Sequence, residues 1–533
     1  DHDRASLPDT PVTVLGRRSA IALVLALIAT ACDPSLPTDT DPQPRAGGEL
    51  VVAVRDLGSL DPAKASGRGA LLALAQIFDP LTAIDPSTNE VVPAAATAWS
   101  VSDDKLRWTF TVSGTYHNGA PVRARDFKFA FDRLTRKANE SEAAFQLEQV
   151  KGFREAHTLG TTTSLSGVRA TGAQTLVITL ERSFAELPQA LAHPALGPIS
   201  MNEYGGGTGG LAAMPLGNGP FKVESAALRE EAVLARNEAY TPTPFLDRIR
   251  LVVATGTDEG WRLFNDEEVD VADVPTSSIT TARGRFGDEG FTPQWSTLSF
   301  GPNLKLSKYA KPEVRRAMSL LIDRDAIASA IYGGTKDPAT GILPRGIRGY
   351  VPDACSACAR DVERARQIVD AAFRVKPKIV IDHLDDDASR RVSRSIGASL
   401  EEVGFQATLR AHSPDAYLKL LKSGGHDFAQ LGWIADVPSP DGFLAQQLRT
   451  GSPNNQTGFA DATFDRLIDR ARATLDEDQR LGVYRAAEDR ALELMPLIPV
   501  VFFRNRAAIA DRVHGLVLDG AGLFDGSVVW VES

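Results

Sequence analysis

The sequence predicts an α/β protein built as two lobes. From Lys378 to Trp433, strand and helix patterns alternate as β-α-β-α-β, which implies a parallel sheet with crossover helices. The first half mixes alternating strands, hairpin turns and short amphipathic helices, a different architecture on the same chain. The 533 residues, 43% hydrophobic and 24% charged, have ordinary globular composition and suffice for two or more domains.

The N-terminal 31 residues read as a targeting segment. Arg17 and Arg18 precede an apolar run from Ala20 to Ala31, and Cys32 follows. The run is too short to span a bilayer as a mature helix, and its order is that of an export signal. The stretch "ATAC" resembles a bacterial lipobox, in which the cysteine becomes the lipid-modified first residue; Ala29 stands where leucine is usual. Asp33 resembles the retention signal of some inner-membrane lipoproteins. Asp1 to Gly16 lies ahead of the basic pair, as an over-long start would. Residues 32–47, with four prolines and no apolar period, read as a solvated tether.

"GELVVAVRD" opens the body as a strand, and "ALLALAQIFDPL" follows as a helix. In "LRWTFTV", Leu106, Trp108, Phe110 and Val112 share one face of a half-buried strand. Phe127, Phe131 and Leu134 form one stripe of the next helix. "PEVRRAMSLLIDRDAIASAIYGG" reads as a helix, a break and a second helix start ended by Gly333-Gly334. "KIVIDHL" is a strand. The next helix presents Val392, Ile396, Leu400 and Val403 and ends near Gly404. "FQATLRAH" is a strand, "SPDAYLKLLKSGG" a helix capped by Ser413 with Pro414 first, and "HDFAQLGW" a strand again. Parallel sheets present ligand sites beyond the carboxyl ends of their strands, and Trp433 to Asp436 leaves such an end.

The order of motifs resembles family 5 of the extracellular solute-binding proteins, the peptide-binding components of ABC importers. The matching pieces begin with "SLDPA" and "IFDPLTAIDPSTNEVVPAAATAWSVSDDKLRWTFTV". "YHNGAPVRARDFKFAFDRL", "PLGNGPFKV" and "LARNEAYTPTPFLDRIRLVV" come next, with Asn218 where the family usually has Thr. "PEVRRAMSLLIDRDAI", "HDFAQLGWIADVPSPDGFL" and "PLIPVVFFRN" complete the series.

The resemblance implies a bilobed periplasmic-binding-protein-like fold, type II, cluster C, with an extra subdomain in lobe 1. The expected bounds are 48–297 and 500–533 for lobe 1, 83–214 for the insertion and 298–499 for lobe 2. It also implies that Trp433 and Asp436 lie in the cleft and that Asp436 pairs with a peptide's α-ammonium. Gly432 and Ile434 would hydrogen-bond an extended peptide as an added strand. A receptor for many sequences must read what all peptides share, the main chain and the termini, and these groups do so. Asp441 reads as part of the turn that follows. Arg345, in "ILPRGIRGY", is the candidate for a peptide carboxylate. The expected partners are a peptide, an ABC permease with its ATPase, and a membrane held through lipid on Cys32. A monomer outside the cytoplasm, in the periplasm or at the cell surface, is expected. A nickel chelate, a sugar or a cationic metabolite is the alternative solute, and a sensory receptor the alternative role.

Other constellations read as structural. Cys355 and Cys358 sit in a loop, and in an exported protein this spacing favours a local disulfide over a redox or zinc site. "GGGTGGLA" reads as a surface loop, because neither a clear strand nor a ribose-binding acid accompanies it. "HLDDDAS" reads as a charged helix start. The scattered histidines suggest no metal, no cofactor is expected, and neither a nucleophile elbow nor an acid–base pair supports an enzyme. With a net charge of −10, nothing suggests a nucleic-acid binder, which would need a basic face.

Overall fold

The computed structural model describes residues 43–532; the export signal, Cys32 and most of the tether lie outside the described residues. Three sheets organise the body. The first runs, in spatial order, Ala507–Ile509, Val271–Asp273, Glu49–Val54, Arg248–Val253, Glu231–Arg236 and Phe221–Ala227. Glu49–Val54 pairs in parallel on both sides. Leu50, Val52 and Val54 enter one core and Val51 and Ala53 another, so both faces are covered. This explains the unbroken apolar run "LVVAV".

The second sheet is ordered Lys336–Pro338, Ile498–Arg504, Pro293–Pro302, Phe428–Ile434, Lys378–Leu384 and Gln406–His412. The three strands of the β-α-β-α-β run are mutually parallel. Antiparallel strands extend the sheet on its other side, so it is mixed and not purely parallel. The connecting helix Asp387–Glu401 buries Val392, Ile396 and Leu400 completely. Ser413 precedes helix Pro414–Ser423 as expected, but its hydroxyl caps no backbone N–H.

A third sheet, Ala96–Val101, Arg107–Val112, Thr175–Thr179 and Val168–Ala170, lies within the expected insertion. Helix Ala124–Leu134 packs on it through fully buried Phe127 and Phe131.

The chain passes from the first sheet to the second at Pro293 and returns after Arg504, a few residues outside the expected switch points 297/298 and 499/500. "QWSTLSFG" and "IPVVFFR" are long buried strands whose pattern carries no punctuation at a lobe border. Asn505 fastens the crossing. Its backbone N–H donates to Thr292 O at 2.8 Å, and its Nδ2 donates to Thr292 Oγ1 and to Asp519 O, both at 2.8 Å.

Candidate functional site

Strand Phe428–Ile434 has one closed edge and one open edge. Pro293–Pro302 pairs with it along its whole length, from Phe428 opposite Pro302 to Ile434 opposite Ser296. On the other side Lys378–Leu384 pairs only with Phe428 and Ala429. The Ala435 N–H donates to Trp295 O at 2.9 Å, so by strand alternation Trp433 also faces the closed edge. Gly432 and Ile434 therefore turn their N–H and C=O groups to the open edge. The Tyr417 hydroxyl donates to Gln430 O at 2.5 Å and marks where the opening begins. Beyond it, among the described residues, no backbone group pairs with Gly432 or Ile434 on that side. Ile434 is 70% exposed. The space where a Gly432 side chain would project is empty.

The strand delivers Asp436 to the space between the lobes. Gln146, on the short helical segment Glu142–Leu147 of the inserted subdomain, donates from Nε2 to Asp436 Oδ2 at 2.8 Å. His193 faces the same carboxylate; burial pushes its imidazole down, and Asp436 opposes that shift. Asp436 forms part of two cavities. One also holds Trp433, Phe145, Glu148 and Gln446, and the other holds Asp79, Tyr240, Trp295 and Asp525. Trp433 packs partly against the second lobe's core while lining the first cavity. Its Nε1 is buried and has no partner among the described residues.

Asp441 is not a turn residue. It lies in the first turn of helix Pro440–Leu448, is buried, and accepts Arg472 Nε and Nη2, both at 2.7 Å. Glu186 reaches the same place from the inserted subdomain. It accepts Ser439 Oγ at 2.7 Å and the Tyr484 hydroxyl at 2.9 Å, with Arg480 at 3.8 Å. Burial and the neighbouring Asp441 push its carboxyl up to about 7, against the pull of Arg480, Ser439 and Tyr484. The Ala185 N–H donates to Arg472 O at 2.7 Å, so this network fastens the inserted subdomain to the second lobe.

Arg345 is exposed and lines neither cavity that holds Asp436. A hydrogen bond with the Tyr350 phenol raises its pKa. Sequence reasoning missed a basic cavity lined by Lys336, Arg391, Arg504, Arg506 and Arg68. Lys336 Nζ lies 3.8 Å from the Tyr332 ring centre and 3.4 Å from that of Phe503. Among the described residues it has no carboxylate in ion-pair range, and burial followed by Arg506 pushes its ammonium down to about 7. No local pattern marks Lys336. It follows a Gly-Gly turn and opens a three-residue strand, and its neighbours in the cavity come from distant parts of the chain.

Cys355 and Cys358 are joined as a disulfide. In "HLDDDAS", Asp386 caps helix Asp387–Glu401 by accepting the Ser389 N–H at 2.9 Å. Among the described residues, no group of three or more His, Cys, Asp or Glu is placed to hold a metal. None of their helices is long and apolar enough to cross a membrane.

The chain is similar to known proteins over nearly all its length. The dipeptide-binding protein DppE of Bacillus subtilis is 23% identical over 532 residues, covering 96% of this chain and 97% of the relative. The oligopeptide-binding protein OppA of the same organism is 23% identical, covering 87% and 89%. Among solved structures, the unliganded open form of the periplasmic murein tripeptide binding protein MppA superposes with a TM-score of 0.82 at 22% identity, covering 92% and 99%. Haemophilus influenzae OppA in complex with RPPGFSPFR superposes with a TM-score of 0.72 at 20% identity, covering 92% and 100%. These likenesses establish the bilobed fold. The family model described as bacterial extracellular solute-binding proteins, family 5 middle, matches residues 90–455, and this chain belongs to that family.

Proposed function

We propose that the protein is an extracytoplasmic receptor that binds peptides between its lobes and delivers them to an ABC permease and ATPase. The observation that carries this reading is the open edge at Gly432 and Ile434, running directly to Asp436. An extended peptide adds to that edge as a strand, which gives affinity without regard to sequence. Its α-ammonium displaces the Gln146 amide from Asp436 and forms a charge-assisted bond. Trp433 supplies a rigid apolar wall beside it. The peptide's carboxylate goes to the basic cavity of Lys336, Arg391 and Arg506 in place of Arg345.

The names of the relatives support the peptide reading. DppE is named for dipeptides and OppA for oligopeptides, and a Helicobacter pylori relative was solved with the peptide STSA. Binding proceeds without turnover, in a monomer whose lobes hinge shut on the solute. Lipid on Cys32 holds the body at the membrane, with the Pro-rich segment as tether.

Thermal unfolding in the presence of short peptides tests the reading. Free peptides are expected to raise the melting temperature, because they bind only the native state, and N-acetylated peptides are expected not to. Equal shifts from both pools would remove Asp436 as the ammonium partner. No shift from either would overturn the peptide reading for the lengths used.

A further inference from the structure

Asp436 forms part of two cavities, and their charges are handled differently. In the one shared with Trp433, Asp441 is bound by Arg472, and Glu186 faces Arg480. Neither cavity is lined by Lys, Arg or His; what differs is that, among the described residues, no arginine pairs with Asp79 or Asp525 in the other as Arg472 pairs with Asp441. There, among the described residues, the Asp79 carboxylate accepts only the Tyr240 hydroxyl, at 3.2 Å. Asp436 accepts the Gln146 amide, and Asp525 accepts the Ser527 N–H at 2.8 Å. Among the described residues, none of these three carboxylates has a cation in ion-pair range. Asp519, a fourth, is met by the N–H groups of Ala521 and Leu523, both at 2.8 Å.

The walls around these acids are aromatic, with Tyr240 and Phe524 on the first lobe and Trp295 on the second. Carboxylates beside aromatic faces form an environment for an organic cation, here in a cavity open enough to admit one, with Asp436 and Asp525 exposed. Asp79 and Asp525 come from the first lobe and Asp436 from the second, so a cation between them is held from both sides of the cleft. The loop carrying Asp436 follows the open strand edge and the unpartnered Trp433 Nε1, both of which a ligand group can satisfy. The carboxyl of Asp79 is pushed up to about 7 by burial and by Asp525, as expected where no counter-ion is near.

We infer that this compartment receives a cationic side chain next to the solute's ammonium, so that the protein prefers peptides beginning with Lys or Arg and rejects those beginning with Glu or Asp. The inference rests on the peptide reading and names its substrate class. A neutral side chain of equal length loses the charge-assisted bonds, and an acidic one meets carboxylates that have no cation to offset them.

Calorimetric titration of the whole protein with tripeptides X-Ala-Ala, where X is Lys, norleucine or Glu, tests it. Lys is expected to bind about tenfold or more tighter than norleucine, the size of one charge-assisted pair, with Glu weakest. Asp79→Asn and Asp525→Asn are expected to erase most of the preference for Lys over norleucine. Asparagine still accepts from Tyr240 and still caps the Ser527 N–H, so both variants should fold. Equal affinities for Lys and norleucine, with N-acetylation still abolishing binding, would overturn this inference and spare the peptide reading. A Lys preference that survives both substitutions would also overturn it. No binding by any of the three would overturn both readings.

Discussion

Each acid of the site has a role set by its neighbours. Among the described residues, Asp436 has only the Gln146 amide as a hydrogen-bond partner, so its carboxylate is available to a ligand cation at the cost of one neutral hydrogen bond. Asp436→Asn should weaken binding of free peptides by about 2–5 kcal/mol, measured by calorimetry, and leave thermal stability nearly unchanged. Asp441 looks similar in sequence, yet it is buried against Arg472, so Asp441→Asn should lower the melting temperature instead. Glu186 links this network to pH. Its carboxyl is raised from 4.5 to about 7 in the folded protein. The stability it contributes is complete below its unfolded value and is lost as pH rises through the folded one, because the unfolded chain releases that proton more readily. Glu186→Gln should flatten this fall in melting temperature between about pH 4.5 and 7.

The decisive element is strand Phe428–Ile434, and its role follows from where its partners stop. Lys378–Leu384 leaves it after Ala429, while Pro293–Pro302 stays with it to Ile434. Proline is tolerated in a strand only where its missing N–H faces an open edge. Gly432→Pro should therefore leave the melting temperature nearly unchanged, yet weaken peptide binding about tenfold or more by removing one ligand-directed donor. Gly432→Ala keeps the N–H and has room for its methyl group, so it should bind normally. A large drop in melting temperature for Gly432→Pro would show that the N–H serves the fold and not a ligand.

At the scale of the whole molecule, the groups proposed to meet a peptide are carried by both lobes. Lys336 lies on a strand of the second sheet and Arg391 on its crossover helix Asp387–Glu401, whereas Arg506 immediately precedes a strand of the first sheet. A peptide reaching from Asp436 to this cavity contacts both, and small-angle scattering should show a smaller radius of gyration with peptide than without.

Legible in the sequence were the β-α-β-α-β run, the apolar stripes of helices Ala124–Leu134 and Asp387–Glu401, and the strand end that holds Trp433 and leads to Asp436. Periodicity and local turn chemistry act over a few residues, so they are legible in one dimension. Only the folded chain shows that Asp441 pairs with Arg472, that Arg345 lines neither cavity holding Asp436, and that Asp79 and Asp525 share a cavity with Asp436. It also shows that Lys336 meets Arg506. These depend on which distant segments become neighbours and on how much water they exclude. Burial and Coulomb interaction act through space, and sequence spacing carries no record of either.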